Sequence, residues 1–119
     1  MDVDESKSSI VDRLHDHVFG LEGPTQSLLN EGRLPTGWAS EYLSLLRIAT
    51  KQWVHELLWP RRLVAAIHFT SWYLNLRYEA WRISHDRNEN TERELASLRS
   101  ASELFLMQGS HRQVEPPPL

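Results

Sequence analysis

The stretch from Pro60 to Ile83 constrains this chain more than any other part of it. Its apolar residues fall into two sets at three- and four-residue spacing. One set is Val64, Ile67, Ser71, Leu74, Tyr78 and Trp81; the other is Phe69, Trp72, Tyr73, Leu76, Ala80 and Ile83. On a helix, each set makes a continuous stripe. A helix that is apolar on more than one side is normally surrounded by neighbours. The stretch therefore predicts an all-α protein, an irregular four-helix bundle around a central Trp/Tyr-rich helix spanning about residues 60–83.

The flanking segments supply the neighbours. A first helix is predicted from about Ser9 to Leu21, with Ile10, Val11, Leu14, Val18 and Leu21 on one face and Ser8 or Ser9 as its cap. Gly23-Pro24 breaks it, and Pro24 suits the start of a short helical turn through Leu28 and Leu29 that stops at Asn30-Glu31-Gly32. After a loop in which Thr36 is the candidate N-cap, Trp38, Tyr42, Leu45, Leu46, Ala49, Trp53 and Leu57 predict a second long helix from about Trp38 to Leu58. Trp59-Pro60 must form a corner, because the residue before proline avoids the helical region. No apolar residue occurs between Ile83 and Leu95, which favours a break there over one continuous rod. Thr91 and Glu94 match a capping box, and Leu95, Leu98, Ala101 and Phe105 predict a last amphipathic helix ending at Gly109. No strand pattern is evident.

The domain is expected to span residues 9–109, with a polar N-terminal tail, residues 1–8, and a Pro-rich C-terminal tail, residues 110–119, both disordered. At 119 residues the chain can bury one real core. It has no cysteine, which excludes disulfides, thiolate zinc sites and cysteine nucleophiles. The first nine residues are acidic and polar, unlike a secretory leader, and the longest apolar-rich run, residues 63–76, is interrupted by His68, Thr70, Ser71 and Asn75. A soluble, cytoplasmic protein without a membrane span is the expectation. Charge is uneven: residues 1–31 hold seven acids and two bases, residues 32–87 four acids and eight bases, and residues 88–119 five acids and three bases. The centre is only mildly basic, less so than nucleic-acid binders tend to be.

The patterns that would carry chemistry fail on named positions. Asp12, His15, Asp16 and His17 cluster on the first helix, but a di-iron bundle needs paired Glu-x-x-His motifs, and here there is a single Asp-x-x-His. His55-Glu56 begins a zincin-like run, yet Trp59 stands where the second histidine belongs. Ser71 and Thr70 lie near His68 without a nucleophile elbow. No catalytic residue, metal site or cofactor is expected. His68, between Ile67 and Phe69, should be partly buried and in need of a hydrogen-bond partner.

Five tryptophans exceed what most small cores hold. Aromatics interleaved with arginines are what subunit interfaces enrich. The preferred expectation is a small helical protein–protein interaction module, self-associating as a homodimer with a structural or regulatory role. Tyr78, Trp81 and Arg82, at the end of the central helix, are the candidate contacts. The alternative is a small-molecule-binding or enzymatic bundle with a pocket around His68, Trp72 and Tyr73. A weaker third reading is nucleic-acid binding through Arg61, Arg62, Arg77 and Arg82.

Overall fold

In a computed structural model, the residues described are 3–21, 23–108 and 113–114. The protein is all-α. Helix α1 spans Val3–Phe19, the short α2 Thr25–Glu31, α3 Trp38–Trp53, α4 Arg61–His68, α5 Leu74–Arg82 and α6 Glu89–Gln108. A π-helical turn, Phe69–Tyr73, joins α4 to α5, so the three run as one rod. That rod is the central helix expected from the sequence.

Its neighbours are α1, α2 and α6. Helix α1 packs against α4, α2 against α5, and α6 against the π turn and α4, while α3 fills in between α1 and α6. The core between them holds Ile10, Leu14, Leu28, Tyr42, Leu46, Leu63, Ile67, Leu74, Tyr78, Leu95, Leu98 and Phe105. The break between the rod and α6 is real: the rod ends at Arg82 and α6 begins at Glu89.

Several boundaries differ from the sequence reading. Helix α1 starts at Val3, not Ser9, so residues 3–8 are helical and not a frayed tail. The reason is lateral support: the Lys7 ammonium pairs with Glu56, and the Trp53 indole N–H donates to the Lys7 carbonyl at 3.3 Å. The helix ends at Phe19, leaving Leu21 fully exposed. Residues 1–2, 110–112 and 115–119 of the expected tails, and Gly109 at the expected end of the last helix, lie outside the described residues.

Helix α3 stops at Trp53, five residues before the expected Leu58. The Trp59 indole N–H donates to the Trp53 carbonyl at 2.7 Å, which folds the chain back and leaves Leu57 in solvent. Leu58–Trp59 (β1) then runs extended into Pro60 and pairs in parallel with Gln113–Val114 (β2), a two-residue ladder that no periodicity could reveal.

Two caps also move. Gly37, with φ of 79°, occupies the position before α3 in place of Thr36, and it makes no side-chain cap bond. Helix α6 begins three residues earlier than expected, because the Asn88 side chain accepts the Thr91 N–H at 3.2 Å and is the true N-cap. Thr91 is instead fully buried, its hydroxyl without a partner among the described residues.

Candidate functional site

The two stripes of the rod have different surroundings. Ile67, Ser71, Leu74 and Tyr78 of the first are buried, as are Leu63, Ala66 and Thr70 beside them. The second faces outward: Trp72 is 53% exposed, Leu76 54% and Ile83 86%. The expectation that both stripes are covered is corrected: the first stripe meets the core, whereas the second is covered only at Phe69 and Tyr73 and leaves Trp72, Leu76 and Ile83 in solvent.

The π turn helps set this division. A regular α-helix would carry Tyr78 about 60° beyond the direction of Leu63 after four turns. A turn closed by i→i+5 bonds takes in more residues and draws Tyr78 back toward that direction. Both side chains are buried. Hydroxyls support the widened turn: Thr70 Oγ1 donates to the Ala66 carbonyl at 3.0 Å and Ser71 Oγ to the His68 carbonyl at 2.9 Å. Behind it lies a buried polar cluster, where the Tyr42 hydroxyl meets Ser102 Oγ at 2.7 Å and also bonds Thr70. Burial pushes the Tyr42 phenol up to about 12, against the opposing pull of Ser102 and Thr70.

On the outward side the aromatics form a ladder across two elements. His15 packs on Phe19 at 4.8 Å, Phe19 edge-on to Phe69 at 4.9 Å, and Phe69 on Tyr73 at 4.5 Å. Trp72 stands at 84° to Tyr73 with ring centroids 5.8 Å apart. The Arg77 guanidinium lies over Tyr73 at 5.1 Å. Leu76 and Ile83 continue the strip at helical spacing toward the end of the rod. Desolvation and, secondarily, Arg62 lower the pKa of His15, opposed by Asp12 and Asp16.

Trp72 and Tyr73, expected with His68 around a pocket, lie at the surface of the rod, Trp72 exposed and Tyr73 half-buried. His68 is exposed, not partly buried, since its position on the rod faces away from α6 and α1. None of the three clefts described for this fold is lined by His68, Trp72 or Tyr73.

The expected interface residues are already engaged within the chain. Tyr78 is 2% exposed; its hydroxyl accepts the Asn88 N–H at 2.9 Å and donates to Glu92 Oε2 at 2.7 Å. Trp81 is half-buried, with His85 stacked on it at 4.5 Å and the Gly32 backbone pressed against its ring. Arg82 lies near Glu79 and Glu92. The rod does not run out of neighbours there, because α2 covers α5 and the turn into α6 folds back over it. Arg87 donates twice to Glu92, and with the Tyr78 hydroxyl this holds the Glu92 carboxyl at about 2.

A second concave feature, a cleft of about 930 Å³, opens between the end of α1, α2 and the start of α3. Asp16, Glu31 and Glu41 line it, though Glu31 pairs with Arg33 at 2.8 Å. Its wall is a reciprocal clasp: His17 Nε2–H donates to the Trp38 carbonyl and Trp38 Nε1–H to the His17 carbonyl, each at 3.0 Å, with the rings stacked at 4.5 Å. Among the described residues no three metal-ligating side chains converge.

Of the four arginines considered for nucleic acid, Arg62 pairs with Asp12, Arg82 lies beside two carboxylates and Arg77 covers Tyr73. No described helix is long and apolar enough to cross a membrane. Comparisons with protein-family models, with curated proteins and with solved structures found no match to this chain.

Proposed function

We propose that this chain is a small helical interaction module that pairs with a second copy of itself through the outward strip of the rod. One observation carries the reading: Phe19 and Trp72, 42% and 53% exposed, are joined through Phe69 and Tyr73 by edge-on and tilted ring contacts, and Leu76 and Ile83, 54% and 86% exposed, follow at helical spacing on the same rod. Scattered exposed apolar residues need no explanation, whereas a connected patch marks an interaction surface. Trp and Tyr beside an arginine are the residues that dominate binding at such surfaces.

A second copy is the occupant that the charges favour. The strip is bordered by both signs: Arg77 lies over Tyr73, while Arg62 on one hand and Asp12 and Asp16 on the other act on His15 at its other end. Like patches do not repel when each carries both charges, and a two-fold pair is the commonest closed assembly of a small chain.

Sedimentation of the purified protein at tens of micromolar tests this directly. The expected result is a dimer that Trp72→Glu and Leu76→Glu each convert to a folded monomer, with helicity unchanged. Trp81→Glu, by contrast, should unfold the chain, because that ring is walled in. A wild type that sediments as a monomer would overturn the proposal.

A further inference from the structure

Arg77 carries a charge that the fold desolvates and does not answer. It is half-buried, its guanidinium lies over the Tyr73 ring at 5.1 Å, and its Nε is shut from solvent with no acceptor. Among the described residues no carboxylate pairs with it, whereas Arg33, Arg62, Arg82, Arg87 and Arg99 each have one. Water serves the N–H groups of an exposed arginine. A guanidinium that has lost part of its water and gained no counter-charge stands at a cost, which an incoming anion relieves.

The other end of the strip holds the opposite charge. Asp16 is exposed, acts on His15 beside Phe19, and has no paired cation among the described residues. Asp12 is taken by Arg62, and Glu79 lies against Arg82.

Asp16 and Arg77 cannot meet within one chain. Helix α1 and the rod run side by side in the same sense, with Asp12 at the level of Arg62 and Phe19 at that of Phe69. Asp16 lies three residues before Phe19, and Arg77 lies eight after Phe69. At ~1.5 Å per residue the two charges stand about 15 Å apart along the axis, beyond the reach of their side chains.

We propose, building on the dimer reading above, that two rods pair antiparallel across their strips and that Arg77 of each copy takes the Asp16 carboxylate of the other. The level midway between the two charges falls at Trp72, so the two-fold axis passes there and the Trp72 rings of the two copies meet. Exposed His68 and Leu76 lie four residues to either side of Trp72, and each faces the other residue of the second copy. In a two-fold interface residue i meets j while j meets i, so the same ion pair forms twice. A parallel pairing would hold Asp16 and Arg77 at opposite ends and leave both unanswered. The pair therefore fixes the orientation and register of the assembly.

The experiment exchanges the charges and reads dimer dissociation constants by sedimentation at low salt. Arg77→Glu and Asp16→Arg should each weaken the dimer at least about tenfold, because each then places like charges together twice. Mixed in equal amounts, the two variants should form a heterodimer at least about tenfold tighter than either variant alone, since opposite charges again face each other at both positions. The chain carrying both substitutions should dimerise like the wild type. Asp16 is exposed, so its variant keeps the test valid should Arg77→Glu unfold the chain. A monomeric wild type would overturn the dimer reading and this pairing with it. A wild-type dimer indifferent to Asp16→Arg would overturn the pairing and leave the dimer standing. So would losses that neither the mixture nor the double variant reverses.

Discussion

The two stripes of the central rod contain comparable apolar residues, yet one is core and the other is surface. Leu74 and Leu76 stand two positions apart in the same rod; Leu74 is fully buried, Leu76 more than half exposed. The difference lies in which residues of the rod meet the shared core: Leu63, Ile67, Leu74 and Tyr78 do, with residues of α1, α2, α3 and α6. It teaches that helical periodicity identifies faces that can be buried, while the number and placement of neighbours decide which face is. The inward stripe is also secured by polar contacts, at its middle through Tyr42, Thr70 and Ser102 and at its end through Tyr78, Asn88 and Glu92. The contacts described along the outward stripe are edge-on and tilted rings and the Arg77 guanidinium.

The sharpest way to break this contrast is a matched pair of truncations. Leu74→Ala should cost about 2–5 kcal/mol, the range for leucines deleted from packed cores. Leu76→Ala should fall within about 0.5 kcal/mol of wild type, as surface changes do. Urea unfolding of both, at a concentration where the protein is monomeric, makes the comparison. Equal losses would mean that the outward stripe is covered after all.

The polar middle offers the next test. Tyr42→Phe removes the partner of the fully buried Ser102 hydroxyl and should destabilise by about 1–3 kcal/mol. Tyr73→Phe on the outward side should have little effect. The same phenol predicts an alkaline limit. Its folded pKa of about 12 lies above the ordinary 10, so the native state holds its proton while the unfolded chain releases it. That contribution is intact below pH 10 and is lost progressively as pH rises from 10 to about 12; Tyr42→Phe should flatten that part of the stability curve.

At the end of the rod, Gly32 and Gly37 form a natural control. Both have positive φ, 67° and 79°, but a Cβ at Gly32 would sit 2.4 Å from the Trp81 ring, whereas at Gly37 it would meet nothing within 4 Å. Alanine at Gly37 should cost about 1 kcal/mol from backbone conformation alone. Alanine at Gly32 should cost about 2–3 kcal/mol, since a ring or helix α2 must also move. Thermal unfolding of the two variants measures the difference. Asn88→Ala, which removes the α6 cap, should cost about 1 kcal/mol.

The smallest expected effect is acidic. Glu92 titrates near 2 in the fold against an ordinary 4.5, held there first by Arg87 and then by Tyr78. Its stabilisation is complete above about pH 4.5 and fades as pH falls toward 2. Glu92→Gln should remove that part of the acid dependence and leave the rest of the pH curve in place. Equilibrium unfolding between pH 2 and 5 reads the change.

The sequence alone determined the helical class, the central rod, the corner at Trp59-Pro60, the short turn that ends at Gly32 and the break before α6. Each of these follows from local physics: apolar spacing over several turns, a proline that cannot donate, a glycine at positive φ, a polar stretch with nothing to bury. The adjacent hydroxyls Thr70 and Ser71 in mid-helix were the one available signal of the π turn. Only the tertiary structure decided that His68 faces solvent, that Tyr78 is spoken for by Asn88 and Glu92, and that Lys7 anchors helix α1 from Val3. Those outcomes depend on partners dozens of residues away in several cases, such as Lys7 with Glu56, or across a turn whose path no periodicity predicts, as for Tyr78 with Glu92. Local pattern sets what each residue can do; which neighbour arrives at it is settled when the helices pack.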